Sequence, residues 1–274
     1  MPTIAALVTV YHGTDPVELQ RALDSLASQT VPADDILIVL DGPVSEGTDG
    51  VVRGFVDKQK NARFLRLPEN VGSGRASQAG IEAIEADFVL RLDADDVAKP
   101  ERIEKQAIFL QAHPEVAVVG SAVEEFERSP GDSGKIRRLP ENPRSYAKWN
   151  SPLNHPSVMM RRTAVLASGG YRDVHYMEDY DLFTRLLRDG WQLHNLADPL
   201  TYFKVDDAQF ARRTGKEMFA VERQMQRNLV EYGIVSRPRA VFNFLLRSAY
   251  RLMPSHLLKR AYSVLFHSKE SEAE

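Results

Sequence analysis

Three carboxylates are spaced to do chemistry together: Asp93, Asp95 and Asp96, within the run from Asp87 to Gln106. Phe88 to Leu92 read as a short buried strand leading into them. Residues two apart on an extended backbone point the same way, so Asp93 and Asp95 can converge on one point. Anions that close repel one another unless something positive sits among them. A divalent cation held by one or two carboxylates and completed by substrate phosphates and water meets that need. The triplet also fits a solvated acidic turn ahead of a helix, with Pro100 at the first helical position and Glu101 after it. On residue types alone both readings stand.

The other polar residues that stand out have ordinary structural readings when taken singly. Asp41, before Gly42-Pro43, suits turn initiation. Asp179 suits the N-cap of a helix predicted over 178–188, with Glu178 a solvated neighbour and Asp181 structural. That helix turns Leu182, Phe183, Leu186 and Leu187 inward and stops at Gly190. His155, beside Asn154, reads as a packing histidine. Trp149 and Trp191 read as core, although Trp149 follows a polar loop and is placed to line a groove.

In chain order, Ile4 to Val10 reads as a strand, followed by a helix with Asp15 as N-cap, Pro16 at its first position and Glu18 completing a capping box. Leu19, Ala22, Leu23 and Leu26 form its buried stripe. Further strands are predicted at Ile36 to Leu40, Phe64 to Leu67, Phe88 to Leu92 and Val116 to Val119. Between them lie a helix facing inward with Val51, Val52, Phe55 and Val56, a loop entering a helix over 72–86, and the helix from Pro100. Strands alternating with helices imply an α/β fold with a mostly parallel sheet covered on both faces. Ligands in such sheets bind beyond the carboxyl ends of the strands. Three polar strand ends fall there: Val10-Tyr11-His12, Asp41-Gly42 and Asp93-Ala94-Asp95. After a polar loop from Ser129 to Pro143, strands are predicted at Ser157 to Met160, Gln192 to Leu196 and Leu200 to Val205. From Gly215 the pattern is helical to Phe266, with breaks near Gly233, Pro238 and Pro254, and a frayed tail closes the chain.

With 274 residues the chain suits one large domain, or one domain with an appendage. A formal net charge of −3 gives no ground for a nucleic-acid partner. The absence of cysteine excludes disulfides and thiolate metal sites. No stretch approaches the roughly 20 apolar residues of a membrane span. The start lacks the basic region of a signal peptide, so a cytoplasmic location is the simplest expectation.

Taken together, these residues resemble the family 2 glycosyltransferases with the GT-A (Rossmann-like) fold, over about residues 3–205. The carriers are Val8-Thr9-Val10-Tyr11, Ser25-Leu26-Ala27-Ser28-Gln29-Thr30, Asp41-Gly42-Pro43, Glu69-Asn70-Val71-Gly72-Ser73-Gly74, Asp93-Ala94-Asp95-Asp96, Asn154-His155-Pro156, Gly169-Gly170-Tyr171 and Glu178-Asp179-Tyr180-Asp181-Leu182. Asp-Gly-Pro with Asn-His-Pro is most similar to the AmsE-like branch of exopolysaccharide and O-antigen sugar transferases. The resemblance implies a catalytic domain over 1–210, with a nucleotide-sugar half to about 127, an acceptor half from about 128, and a C-terminal helical region over 211–274. It implies that Asp93 and Asp95 hold Mn²⁺ or Mg²⁺, with Ala94 beside the nucleotide. Asp41 would bond a uracil base in a pocket lined by Thr9 and Tyr11. Gly72 and Gly74 would let backbone approach the nucleotide, and Arg75 would offer it a cation. Asp179 becomes the candidate general base, with Glu178, His155 and Trp149 toward the acceptor or donor sugar.

The implied reaction is inverting, non-processive transfer of a hexose from UDP-Gal or UDP-Glc to a saccharide acceptor carried on a polyprenyl diphosphate. A sugar nucleotidyltransferase and a non-catalytic nucleotide-sugar-binding module are the alternatives. Gln224-Met225-Gln226-Arg227-Asn228 lacks the Trp of processive members, and Lys204 stands where an Arg is usual. From Arg237 to Lys269 every charged side chain other than histidine is Arg or Lys, interleaved with bulky apolar residues. That pattern suits helices lying on an anionic membrane, so a peripheral position at the inner face of the cell membrane is expected.

Overall fold

The computed structural model describes residues 2–205 and 217–251. In chain order the elements are β1 (Ile4–Val10), α1 (Pro16–Ala27), β2 (Asp35–Leu40), α2 (Glu46–Lys58), β3 (Ala62–Arg66), α3 (Ser73–Ala83), β4 (Phe88–Asp93), β5 (Val97–Ala98) and α4 (Arg102–Ala112). Then follow β6 (Val116–Phe126), β7 (Lys135–Arg137), β8 (Met159–Arg161), α5 (Arg162–Ala167), α6 (Glu178–Arg188), β9 (Gln192–Lys204), α7 (Glu217–Glu231) and α8 (Arg237–Arg251). All nine strands join one sheet in the order β3-β2-β1-β4-β8-β6-β9-β5, with β7 paired to β6. β1, β2, β3 and β4 are mutually parallel, as are β6 and β9, while β5, β7 and β8 pair antiparallel.

The alternation of strand side chains builds the two core layers. On β1, Ile4, Ala6, Val8 and Val10 face the layer formed by α1, α2 and α4, whereas Ala5 and Leu7 face the layer of α3, α5 and α6. A third cluster joins Met177 and Tyr180 at the start of α6 to Met218, Met225 and Leu229 of α7 and Ala240 of α8. The C-terminal helices are thus packed on the α6 side of the domain.

Several local expectations are corrected. Pro100 lies in a turn and α4 begins at Arg102, because Gln29 supplies the cap from elsewhere: its Oε1 accepts from Ile103 N at 3.0 Å and its Nε2 donates to Lys99 O at 2.9 Å. Ser25 Oγ likewise accepts from Ala98 N at 3.0 Å, so the Ser25–Gln29 segment clips the chain directly after the acidic triplet. Asp15 caps α1 through Val17 N and Glu18 N, but Glu18 turns away from a capping box to pair with Lys204. The two strands expected over 192–205 are one bulged strand, β9. β7 lies within the loop expected over 129–143. The strand near Ser157 is a short 3-10 turn, His155–Ser157, followed by β8. β3 starts at Ala62 rather than Phe64, and Pro238 sits inside the first turn of α8 instead of breaking a helix. The pattern noted beyond Arg251, with its break at Pro254, lies outside the described residues.

Asp181 ties the layers together. Its carboxylate accepts from Arg185 Nε at 2.8 Å, Asn228 Nδ2 at 3.0 Å and Tyr232 OH at 2.8 Å, and neither Asp181 nor Arg185 is exposed. Removing one partner of a buried pair strands the other charge without solvent. Asp181→Ala is expected to lower the unfolding free energy by about 3 kcal/mol, read from the urea midpoint.

Candidate active site

β1, β2 and β4 end on one rim, with Thr9 the register partner of both Val39 and Asp93. There the oxygens of Asp93, Asp95 and Asp96 lie within 4.8 Å of one another. Asp96 is buried: its Oδ1 accepts from Lys204 N at 2.8 Å and its Oδ2 has no hydrogen-bond partner. Burial, then the charge of Asp93, pushes Asp95 up to about 6. Burial and the charges of Asp95 and Asp93 hold Asp96 well above the carboxylate range. An acidic turn in water would relax such repulsion; here it is built in. Crowded carboxylate oxygens, one of them buried without a partner, match in type and spacing the donors that a hard divalent cation takes.

Two buried arginines underlie the triplet. Arg91 is 4% exposed on β4; its Nη2 pairs with Asp93 Oδ1, while Nε and Nη1 have no partner. Burial works against its charge, but Asp93 more than restores it. Arg102, fully buried, donates through Nη2 to Arg91 O at 2.7 Å and Val158 O at 3.1 Å, and burial pushes it down to about 9.

At the end of β2, Asp41 is buried and accepts from Val71 N at 2.7 Å and Gly72 N at 3.1 Å. It thereby shapes the loop ahead of α3, and each oxygen retains a further acceptor position. Gly72 has φ 88°, a conformation that favours glycine. At Gly74 an added Cβ would lie 3.0 Å from Arg172 O and 3.1 Å from Glu178 Cβ, so its bareness lets α3 approach the start of α6. Arg75, exposed, pairs with Asp173 at 3.0 Å. Tyr11 is half-exposed beyond β1, its ring edge-on to His12.

Across the rim stands the start of α6. Its N-cap is Met177, so Asp179 is the second helical residue and not the cap. Asp179 Oδ2 accepts from Ser151 Oγ at 2.7 Å. Burial, followed by the charge of Asp179, raises Glu178. Tyr171 lies near both acidic groups: burial raises its phenol, Arg91 opposes this, and the charges of Asp179, Glu178 and Asp93 add to the rise. Of the triplet, Asp93 bears on the same buried side chain as the helix-start pair. His155 sits among the same groups, bonded through Nε2 to Tyr171 OH at 2.8 Å and packed against Phe183. Burial, then Arg91, holds its imidazole well below the ordinary value, which keeps it neutral. Trp149 is corrected from core to surface: it is 39% exposed, with the Arg239 guanidinium 3.5 Å from its ring centroid.

Residues 6–170 match the family described as Glycosyl transferase family 2. The chain belongs to that family. This glycosyltransferase is 33% identical over 261 residues to the amylovoran biosynthesis glycosyltransferase AmsE of Erwinia amylovora, covering 94% of this chain and 97% of that one. It is 29% identical over 256 residues to the UDP-Gal:alpha-D-GlcNAc-diphosphoundecaprenol beta-1,3-galactosyltransferase of Escherichia coli, covering 93% of each. The mannosyltransferase PcManGT of Pyrobaculum calidifontis, solved with GDP-Man and Mn²⁺, superposes with a TM-score of 0.64 at 16% identity, over 96% of this chain and 80% of that one. The fold is GT-A, a mostly parallel sheet flanked by helices, as the resemblance implied. Three neighbours of the candidate site's residues were not singled out from the sequence: Arg91, Arg102 and Ser151. Arg91 had a signal, being one cation inside an apolar strand; Arg102 had none, standing among charged residues at a helix start. Ser151 had none, because only the tertiary fold brings it to Asp179.

Proposed function

We propose that this glycosyltransferase moves one hexose, galactose or glucose, from a UDP-sugar to a lipid-linked saccharide with inversion, in cell-surface polysaccharide synthesis. The observation that carries the reading is the Asp93-Asp95-Asp96 triplet, its oxygens within 4.8 Å of one another at the carboxyl end of β4, with Asp93 paired to the buried Arg91. Asp179 takes the proton of the acceptor hydroxyl while its oxygen attacks the anomeric carbon, and the bond from that carbon to the UDP oxygen breaks. Asp93 and Asp95 would hold Mn²⁺ or Mg²⁺, which supplies Lewis-acid stabilisation of the charge on the departing diphosphate. Thr9, Tyr11, Asp41, Gly72, Gly74, Arg75 and Ala94 line the nucleotide side, within the half ending near 127. Glu178, His155 and Trp149 belong to the acceptor half; His155, neutral and bonded to Tyr171, serves by shaping that wall. The name of the Escherichia coli relative supports UDP-galactose and a diphosphoundecaprenol-linked acceptor. In a thermal-shift screen with Mn²⁺, UDP-hexoses are expected to raise the melting temperature more than GDP- or dTDP-sugars. Equal or larger shifts with those sugars would overturn the uridine assignment.

A lipid-linked acceptor would be met at the inner membrane face, and that is where this reading sets the enzyme. No helix among the described residues is long and apolar enough to cross a membrane. α8 instead turns Val241, Phe242, Leu245 and Leu246 outward, each at least half exposed. They form one stripe beside exposed Arg237, a fitting surface for the interface of an anionic bilayer. Each nearby Arg or Lys adds on the order of 1 kcal/mol of attraction. Full-length protein is expected to sediment with anionic liposomes at low salt, and Phe242→Glu with Leu245→Glu to release it. Wild-type protein remaining in the supernatant would overturn the membrane reading.

A further inference from the structure

Between Asp179 and the C-terminal helices lies a short turn, Trp149 to Ser151, that is held from both sides. On the inner side Ser151 Oγ is 2.7 Å from Asp179 Oδ2 and 3.5 Å from Leu153 O, so its single proton goes to the carboxylate. On the outer side α8 grips the turn. Asn243 Nδ2 donates to Lys148 O at 2.8 Å, and Arg247 Nη1 donates to Trp149 O at 2.7 Å and Asn150 Oδ1 at 3.1 Å. Arg247 is itself fixed through Nε to Glu222 Oε2 of α7 at 2.8 Å, where Glu222 is fully buried. Arg239 covers one face of the Trp149 ring.

We propose that Ser151 is a positioning residue for the proton acceptor Asp179, and that Arg247 of α8 sets Ser151 in place, so that the C-terminal helices complete the active site. This rests on the reading of Asp179 as the base. A hydroxyl donating to one carboxylate oxygen fixes the rotamer of that carboxylate, and with it the direction in which the acceptor proton must arrive. Displacements of an ångström at such a group cost up to about 100-fold in rate. α7 and α8 lie beyond the segment, 6–170, that matches the family. The device therefore joins Ser151, inside that segment, to helices outside it. Arg247 uses Nε on Glu222 and both bonds of Nη1 on the turn carrying Ser151, so α8 holds that turn through one fixed side chain.

The test compares full-length Ser151→Ala, Ser151→Thr, Arg247→Met, Arg247→Lys, the Ser151→Ala/Arg247→Met double variant and Asp179→Asn. For each, kcat, acceptor KM and UDP affinity are measured. Ser151→Ala and Arg247→Met are expected to lower kcat by about 10- to 100-fold with UDP affinity unchanged, and the double variant to be no worse than the poorer single one. Ser151→Thr is expected to restore most of the rate. Arg247→Lys keeps a charge beside Glu222 but loses the forked reach, so a smaller loss of kcat is expected even where the Met variant fails to fold. A collapse in Asp179→Asn with wild-type kcat in Ser151→Ala would overturn the proposal and leave the base in place. Losses in Ser151→Ala and Arg247→Met that simply add would make α8 a stability element and also overturn it. Wild-type turnover in Asp179→Asn would remove the base itself, and the positioning proposal with it.

Discussion

Asp179→Asn is expected to lower kcat by about 100-fold or more while UDP affinity and the unfolding midpoint stay close to wild type. The substitution keeps the shape of the side chain and removes the proton acceptor. Because Met177, not Asp179, occupies the N-cap of α6, the change strips no cap from the helix. Ser151 Oγ still finds a carbonyl oxygen on the amide, so the local fold keeps its hydrogen bond. Losses of stability and activity in equal measure would assign Asp179 a structural role instead.

Asp95→Ala is expected to cut turnover by about 1,000-fold or more, since Lewis-acid stabilisation is worth several kcal/mol. Its stability should move the other way. Burial and the charge of Asp93 raise Asp95 to about 6. Between the ordinary carboxylate value and about 6, the folded metal-free chain therefore holds more protons than the unfolded one. Its stability then falls as pH rises through that window. A bound cation offsets the repulsion, so Mn²⁺ should raise the wild-type melting temperature at pH 7 and do so less as pH drops below about 6. The metal-free Asp95→Ala protein should be at least as stable as metal-free wild type at pH 7, and Mn²⁺ should shift it little. Normal turnover of Asp95→Ala in Mn²⁺ would refute the cation site.

The parts of the fold legible in the sequence are those set by local periodicity. The strand Ile4–Val10, the cap at Asp15 and the helix Glu178–Arg188 each follow from residues within a turn or two of one another. What escaped was decided at long range. α4 starts two residues late because its cap comes from Gln29, 74 positions from Ile103. β9 is continuous because pairing with β6 carries it through bulges that sequence alone reads as a break. The site followed the same rule. The triplet could be found because its members are neighbours in sequence, and the rim because parallel strands align their ends. Ser151 reaches Asp179 across 28 positions, and no local pattern announces that contact.

The central claim, inverting transfer from a UDP-hexose through a cation-dependent site, is tested most directly by one reaction. The full-length enzyme is incubated with Mn²⁺, UDP-galactose and a diphosphate-linked N-acetylglucosamine lipid acceptor, and the anomeric configuration of the product is read by NMR. The predicted result is UDP release and a β-linked galactose from the α-linked donor, abolished by EDTA and restored by Mn²⁺. An α-linked product, pyrophosphate in place of UDP, or transfer unchanged in EDTA would contradict it.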